Sequence, residues 1–101
     1  MRVFITEDFS KEIQKVLTSE QRNQLQTFIE KFKNGVQRGK ILGPTYLREV
    51  KIQSKRVYYV YIDNAALFVA ASNKKEQSQR IRDIQQQSNR FLAVLKKLTA
   101  Q

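Results

Sequence analysis

The chain has 101 residues, a length that suits a single domain, residues 1–101, and leaves no room for a large enclosed active-site cavity. It contains neither cysteine nor histidine, which excludes disulfide bonds, zinc sites built on these residues and catalysis by thiol or imidazole groups. The formal net charge is +10, from 19 basic and nine acidic side chains, and this excess favours a polyanionic partner. Because the sequence has neither an apolar run of membrane-spanning length nor a signal-peptide core, we expect a soluble cytoplasmic protein without membrane contact.

The first part of the chain predicts one strand followed by two helices. Residues 2–6 form a short β-branched and aromatic run that suits a strand. Apolar residues recur at helical spacing after Ser10, and Thr18 and Gln21 have the spacing of a capping box for a second helix. Gly35 follows this helix where a left-handed cap is expected. Together these signals predict an N-terminal helical hairpin.

From residue 46 the apolar period changes to two. Residues 46–52, 56–62 and 65–71 read as strands joined by short turns, which predicts an antiparallel meander with the apolar last strand in its centre. Residues 34–44 hold all three glycines and the only proline, so we expect a loop there. A final helix capped by Ser72 is predicted to run to the end. The predicted fold is therefore α+β: a small, mostly antiparallel sheet of about four strands with an N-terminal helical hairpin and a long C-terminal helix.

The apolar stripe of the final helix allows two interpretations. Its members recur at spacings of three and four residues and are Ile81, Ile84, Phe91, Leu95 and Leu98. In the first interpretation the whole stripe packs on the rest of the domain. In the second, its distal half extends past the sheet and pairs with a partner or with a second copy, which would give a homodimer.

Basic residues dominate the middle of the chain, and several fall on the predicted strands or tight turns. Between residues 31 and 60 eight basic side chains stand against a single acid, Glu49, and a second basic group follows the last strand. Neighbouring strands lie about 4.8 Å apart, so both groups would share one face. We expect nucleic acid to be bound there, with Tyr58 available for base stacking. The expected phosphate ligands are Lys40, Lys55, Lys74 and Arg80. The alternative for the basic residues is a solvated charged surface without a partner. The alternative for the tyrosines is that they are half-buried residues of the sheet.

The order of these elements resembles the RelE/ParE superfamily of bacterial type II toxin–antitoxin toxins. The resemblance extends over about residues 1–84 and is most specific over 46–77, which contains LREVKI, KRVYYVY and ASNKKEQ in succession. It implies a RelE-like fold and a toxin that enters the ribosomal A site and cuts mRNA. It also implies an acidic antitoxin that wraps the toxin in a hetero-oligomer. The implied reaction needs no metal ion or cofactor, because the 2′-hydroxyl of the RNA is the nucleophile.

The resemblance also implies catalytic residues. It places Arg56 at the strand arginine of the family, Arg48 and Lys51 near its basic strand pair, and Lys75 at the basic position after the last strand. In a chain without histidine, arginine and lysine must stabilise the phosphorane. We expect Arg56 to point to solvent and contact the phosphate. Lys51 or Lys75 is the expected base, with Glu49 as a second candidate.

The sequence departs from the RelE pattern at two places. Ile81 stands about where some nuclease members carry a catalytic tyrosine or histidine, and residues 85–101 continue as a helical extension. Two alternative functions therefore stay open. The first is a ParE-like inhibitor of DNA gyrase, and the second is a non-catalytic nucleic-acid-binding module.

Overall fold

The computed structural model of the chain describes residues 2–35, 39–43 and 46–100. Five strands in these ranges form one sheet in the order β1-β5-β4-β3-β2. The elements in chain order are β1 (Arg2–Ile5), α1 (Glu7–Val16), α2 (Ser19–Lys33), β2 (Lys40–Ile41), β3 (Leu47–Ile52), β4 (Lys55–Ile62), β5 (Ala65–Asn73), α3 (Gln77–Gln86) and α4 (Ser88–Thr99). Of the predicted loop 34–44, residues 40–41 form β2, and residues 36–38 and 44 lie outside the described ranges.

The sheet has five strands and is mixed, which corrects the predicted small, mostly antiparallel sheet of about four strands. Each strand from β2 to β5 pairs antiparallel with the next, but β1 pairs with β5 in parallel, with Phe4 opposite Leu67. A parallel pair needs a long crossover, which here comprises two helices and three strands. Turn signals predict pairing only between strands that follow one another in the chain. The turn signals therefore did not predict the parallel pairing of β1 with β5.

The helices lie on both faces of the sheet, which corrects the rest of the predicted fold. Instead of forming a hairpin, α1 and α2 bury their apolar stripes against one face, here called the first face. The predicted long C-terminal helix is two helices, α3 and α4, interrupted at Gln87, and both cover the opposite, second face. Ser72 does not cap a helix, because β5 continues to Asn73. Among the described residues, no helix has the length and apolar character that a membrane crossing needs.

The local helix signals are confirmed. Thr18 Oγ1 accepts a hydrogen bond from the backbone N–H of Gln21 at 3.1 Å, and Gln21 Oε1 accepts one from Thr18 N–H at 3.0 Å. Gly35 has φ +94°, the left-handed conformation predicted after α2. However, α1 begins at Glu7, earlier than predicted, because Thr6 caps it by accepting a bond from Phe9 N–H at 3.0 Å.

Aromatic side chains fill the core on the first face. Tyr59 and Phe68 are fully buried and stack with 5.0 Å between their ring centroids. Phe9 of α1 and Phe32 of α2 pack against this pair at 5.7 and 5.6 Å. Both N-terminal helices are therefore held on the sheet through aromatic contacts.

The C-terminal helices close the second face. Leu95 is 1% exposed and belongs to the same buried cluster as Leu47 and Ile84, with Phe91 and Leu98 packed against it. In addition, the guanidinium of Arg2 donates to the carbonyl oxygens of Leu98 and Thr99 at 3.1 and 3.0 Å, which ties β1 to the end of α4. The distal half of the stripe thus packs on the domain and does not extend past the sheet.

Gly39 lies directly against the Tyr59 hydroxyl. A Cβ atom built on Gly39 would overlap that oxygen. The Tyr59 ring cannot move aside, because it is fully buried between aromatic neighbours of α2 and β5. This close approach explains why glycine stands here.

Gly39→Ala is expected to lower the free energy of unfolding by about 1–3 kcal/mol, the usual cost of forcing atoms into a packed core. Gly43→Ala is the matched control, since the nearest atom to its Cβ would be 4.0 Å away. Urea unfolding of both variants measures the difference. Equal stability of the two would contradict the packing described for Tyr59.

Leu95→Ala is expected to cost about 2–5 kcal/mol of unfolding free energy, because it leaves a cavity beneath α4. The neighbouring Val94 is 38% exposed, so Val94→Ala should change stability by less than about 0.5 kcal/mol. Urea titrations at low protein concentration make this comparison on single chains. A Leu95→Ala protein as stable as Val94→Ala would show that the stripe is not part of the core.

Candidate phosphate-binding site

The positive charge of the chain is unevenly distributed. Residues 1–35 carry six basic and five acidic side chains, whereas residues 36–101 carry 13 basic and four acidic ones. The first segment supplies β1 and the helices of the first face, and the second supplies the rest of the sheet and the helices of the second face. Arg38, one of the basic residues counted, lies outside the described ranges. An anionic partner is therefore attracted mainly to the second segment.

Four lysines gather at the end of the sheet where β3 turns into β4 and β5 ends. We call this group the lysine end; its members are Lys51, Lys55, Lys74 and Lys75. Strand register explains the grouping, because Lys51 lies opposite Arg56, and Lys55 lies opposite Asn73, the residue before Lys74. Lys55 is half-buried and the other three are exposed. The structure thus brings together two residues predicted as catalytic and two predicted to bind phosphate.

Arg56 does not point to solvent, which corrects the sequence prediction. The residue is 8% exposed, and its Nε lies 3.6 Å from Oε1 of Glu49, itself 7% exposed. The two residues lie on adjacent strands on the second face, beside the lysine end. The period of two in β3 and β4 already placed both side chains on one face. Only the position of α3 decided that they are covered.

Gln77, at the start of α3, was missed by the sequence reasoning. Its side-chain Nε2 donates to Oε2 of Glu49 at 2.7 Å, so the Glu49 carboxylate contacts Arg56 through one oxygen and Gln77 through the other. Gln77 lies in a stretch rich in glutamine, so nothing in the sequence distinguishes it from its neighbours as a site residue. The first turn of α3 therefore both orients the carboxylate and covers the ion pair.

Tyr58 is not available for stacking on bases, contrary to its predicted role. It is fully buried, and its hydroxyl is hydrogen-bonded to Ser72 Oγ at 2.9 Å. Burial raises the pKa of Tyr58 above its ordinary value of 10.0, and burial raises that of Tyr59 in the same way. Both hydroxyls therefore stay protonated at neutral pH, and neither serves as a base.

Arg48 lies on the opposite face from Lys51 and the Glu49–Arg56 pair. It pairs with Tyr59, and its guanidinium lies 4.5 Å from the ring centroid of Tyr61 on the first face. Arg48 and Lys51 are three residues apart in one strand, and such residues point to opposite sides of a sheet. Strand periodicity alone could therefore have separated Arg48 from this candidate catalytic group.

The two remaining predicted residues flank the lysine end without joining it. Lys40 is exposed on β2 opposite Glu49, on the side of the ion pair away from β5. Arg80 is partly buried one turn further along α3, where its guanidinium donates to both carboxylate oxygens of Glu12 at 2.8 and 2.9 Å. Lys40 can extend a phosphate-binding surface, whereas Arg80 mainly joins α3 to α1.

The site combines exposed cations with a shielded carboxylate and guanidinium. Exposed lysines bind phosphate oxygens as point charges, and a carboxylate next to an arginine supplies a proton acceptor beside an anion-binding group. Comparison with protein-family models, with curated proteins and with solved structures gave no match to this chain.

Proposed function

We propose that this chain is the toxin of a type II toxin–antitoxin system, and that it inhibits translation as an endoribonuclease that cuts mRNA at the ribosome. The proposal is supported by Lys51, an exposed cation opposite Arg56 and therefore on the face of the Glu49–Arg56 pair, and by the exposed Lys74 and Lys75 just after β5. It is also supported by the RelE-like sequence signals, because the segments that carry them form β3, β4 and β5. An acidic antitoxin would complement the +10 charge of the chain.

The chemistry assigns one role to each residue of the site. Glu49 takes the proton of the RNA 2′-hydroxyl, the freed oxygen bonds to the adjacent phosphorus, and the bond from phosphorus to the 5′-oxygen breaks. Arg56 and Lys51 stabilise the charge of the phosphorane, and a lysine ammonium protonates the leaving 5′-oxygen. The products are a 2′,3′-cyclic phosphate and a 5′-hydroxyl end. We prefer Glu49 to the lysines as the base because its carboxylate lies 3.6 Å from the guanidinium of Arg56, the group assigned to the phosphate.

RNA can reach the Glu49–Arg56 pair only if the first turn of α3 moves away from it. Glu49 and Arg56 are each less than one-tenth exposed, and Gln77 holds the carboxylate oxygen that would receive the proton. The first turn of α3 therefore has to release Glu49 when RNA binds. The helix is suited to this, since Ile84 is its one fully buried residue.

The salt dependence of RNA binding is expected to come from the lysine end. The logarithm of the RNA affinity falls linearly as the logarithm of the salt concentration rises. For single-stranded RNA, each lost phosphate contact should make this slope less steep by about 0.7. Fluorescence anisotropy with Lys51→Ala and Lys75→Ala measures this change. Lys15→Ala, an exposed lysine of α1 with the same charge difference, is the control and should leave the slope unchanged. Equal slopes for all three variants would contradict a localised phosphate site.

Cleavage is expected to depend on Glu49. Glu49→Gln keeps the shape of the side chain but removes the proton acceptor, so cleavage should fall by about 100-fold or more, with RNA binding retained. The assay adds purified protein to a cell-free translation reaction and maps mRNA ends by primer extension, with and without ribosomes. Circular dichroism checks that the variant is folded. Intact message with the unsubstituted protein would refute the nuclease.

Two observations favour a second candidate function, inhibition of DNA gyrase without catalysis. Ile81 is apolar and packs against the second-face core at the position where the resemblance leads one to look for a further catalytic side chain. The burial of the Glu49–Arg56 pair points the same way. A gyrase supercoiling assay discriminates the two functions, because a nuclease should leave supercoiling unaffected.

A further inference from the structure

A cleft lies on the other side of α3 from the Glu49–Arg56 pair. It has a volume of about 280 Å³ and lies between α1, β5 and the two C-terminal helices. β1 pairs only with Ala65–Phe68, although β5 continues to Asn73. The floor of the cleft is formed by Val69 and Ala70, where the pairing of β5 with β4 shifts its register. The volume is just below the range of about 300–1,000 Å³ typical of small-molecule sites, so the occupant is small.

The walls of the cleft are apolar near its floor and polar elsewhere. Ile84 is 2% exposed, and Phe91 is half-buried beside it. The guanidinium of Arg90 lies 5.7 Å from the ring centroid of Phe91 and donates to Gln87 Oε1 at 2.9 Å. Arginine planes and aromatic rings of this kind are the surfaces on which proteins stack nucleic-acid bases.

The charges around the cleft balance. Glu12 already accepts hydrogen bonds from Ala71 N–H at 2.6 Å and from Arg80 at 2.8 and 2.9 Å, so this pair adds no net charge. The remaining charged residues of the lining are Asp8 and Arg90, which have opposite signs. The lining thus offers one acceptor-only carboxylate and one donor-only guanidinium.

This arrangement selects the chemical class of the ligand. A simple anion is opposed by Asp8 and Glu12, and a simple cation is opposed by Arg80 and Arg90. No group of three or more metal-ligating side chains occurs in the described part of the chain. A neutral, flat molecule with hydrogen-bond donors and acceptors on its edges fits both the charges and the apolar floor. Nucleobases have these properties.

We propose that the cleft binds a single guanine base of single-stranded RNA. Guanine presents two adjacent donors, N1–H and N2–H, which one carboxylate can accept together, and Asp8 is assigned this role. Its O6 and N7 atoms are acceptors that suit an arginine, and Arg90 is assigned to them. Adenine lacks the paired donors, so the cleft distinguishes the two purines.

The cleft and the phosphate-binding site share α3. Gln77 contacts Glu49, and Arg80, three residues later, lines the cleft. At about 1.5 Å of rise per residue the two positions are roughly 4.5 Å apart along the helix axis. The cleft and the Glu49–Arg56 pair are therefore contacted by neighbouring residues of one helix. The inference rests on the proposed function only in taking RNA as the source of the base.

Nucleosides test the cleft without any contribution from the lysines, because they carry no phosphate. The full chain is titrated with guanosine, inosine and adenosine while backbone amide signals are followed by NMR. Guanosine should give saturable shifts at Val69, Ala70 and Gln87. Inosine, which lacks the N2 amino group, should bind about tenfold or more weakly, as expected for losing a hydrogen bond to a charged group. Absence of saturable shifts, or equal affinity for guanosine and adenosine, overturns the proposal.

Two neighbouring acids provide a matched pair of variants. Asp8→Asn should weaken guanosine binding by about tenfold or more. Glu7→Gln should not, because Glu7 belongs to the same turn of α1 but is paired with Lys11 outside the cleft. An equal loss in both variants refutes the role of Asp8. Guanosine binding by a protein that leaves mRNA intact would refute the nuclease and support the cleft, whereas mRNA cleavage without guanosine binding would do the reverse.

Discussion

Burial of β5 on both faces is the constraint on which the rest of the molecule depends. Its residues Ala65–Ser72 are all buried, and a strand of this kind needs helices on both sides of its sheet. The helices α1 and α2 cover one face, α3 and α4 the other, and β1 protects one edge of β5 over part of its length. The cover that α3 provides extends over the polar residues of β3 and β4. The site and the core are thus products of one packing requirement.

The Glu49–Arg56 pair is not explained by stability alone. Burying two charges costs several kcal/mol in desolvation, and apolar side chains of similar volume usually stabilise a fold equally well or better. Here the pair is buried on the face that carries Lys51, with Gln77 on the second oxygen of Glu49. The retention of charge at this position is what links the fold to the proposed chemistry.

The helix α3 has a double role because polar side chains fix it on both sides. Gln77 holds it to Glu49 of β3, and Arg80 holds it to Glu12 of α1, 68 residues away in the chain. Few apolar contacts support these bonds, since Ile84 is the one fully buried residue of the helix. Such an element opens at lower free energy than the core strands. The proposed phosphate site and the guanine cleft lie on its two sides, so an RNA strand crossing α3 could reach both.

Local patterns in the sequence determined the capping box of Thr18 and Gln21, the left-handed Gly35, the strands of the meander and the excess of positive charge in the second part of the chain. These features depend on the spacing of neighbouring residues or on composition, and both can be read directly from the sequence. The grouping of Lys51 with Lys75 also followed from strand order. Only the tertiary structure decided that β1 pairs in parallel with β5, that the C-terminal helix breaks at Gln87, and that Arg56 is covered. The parallel pairing and the covering of Arg56 depend on contacts between segments far apart in the chain, and such contacts leave no periodic trace in the sequence.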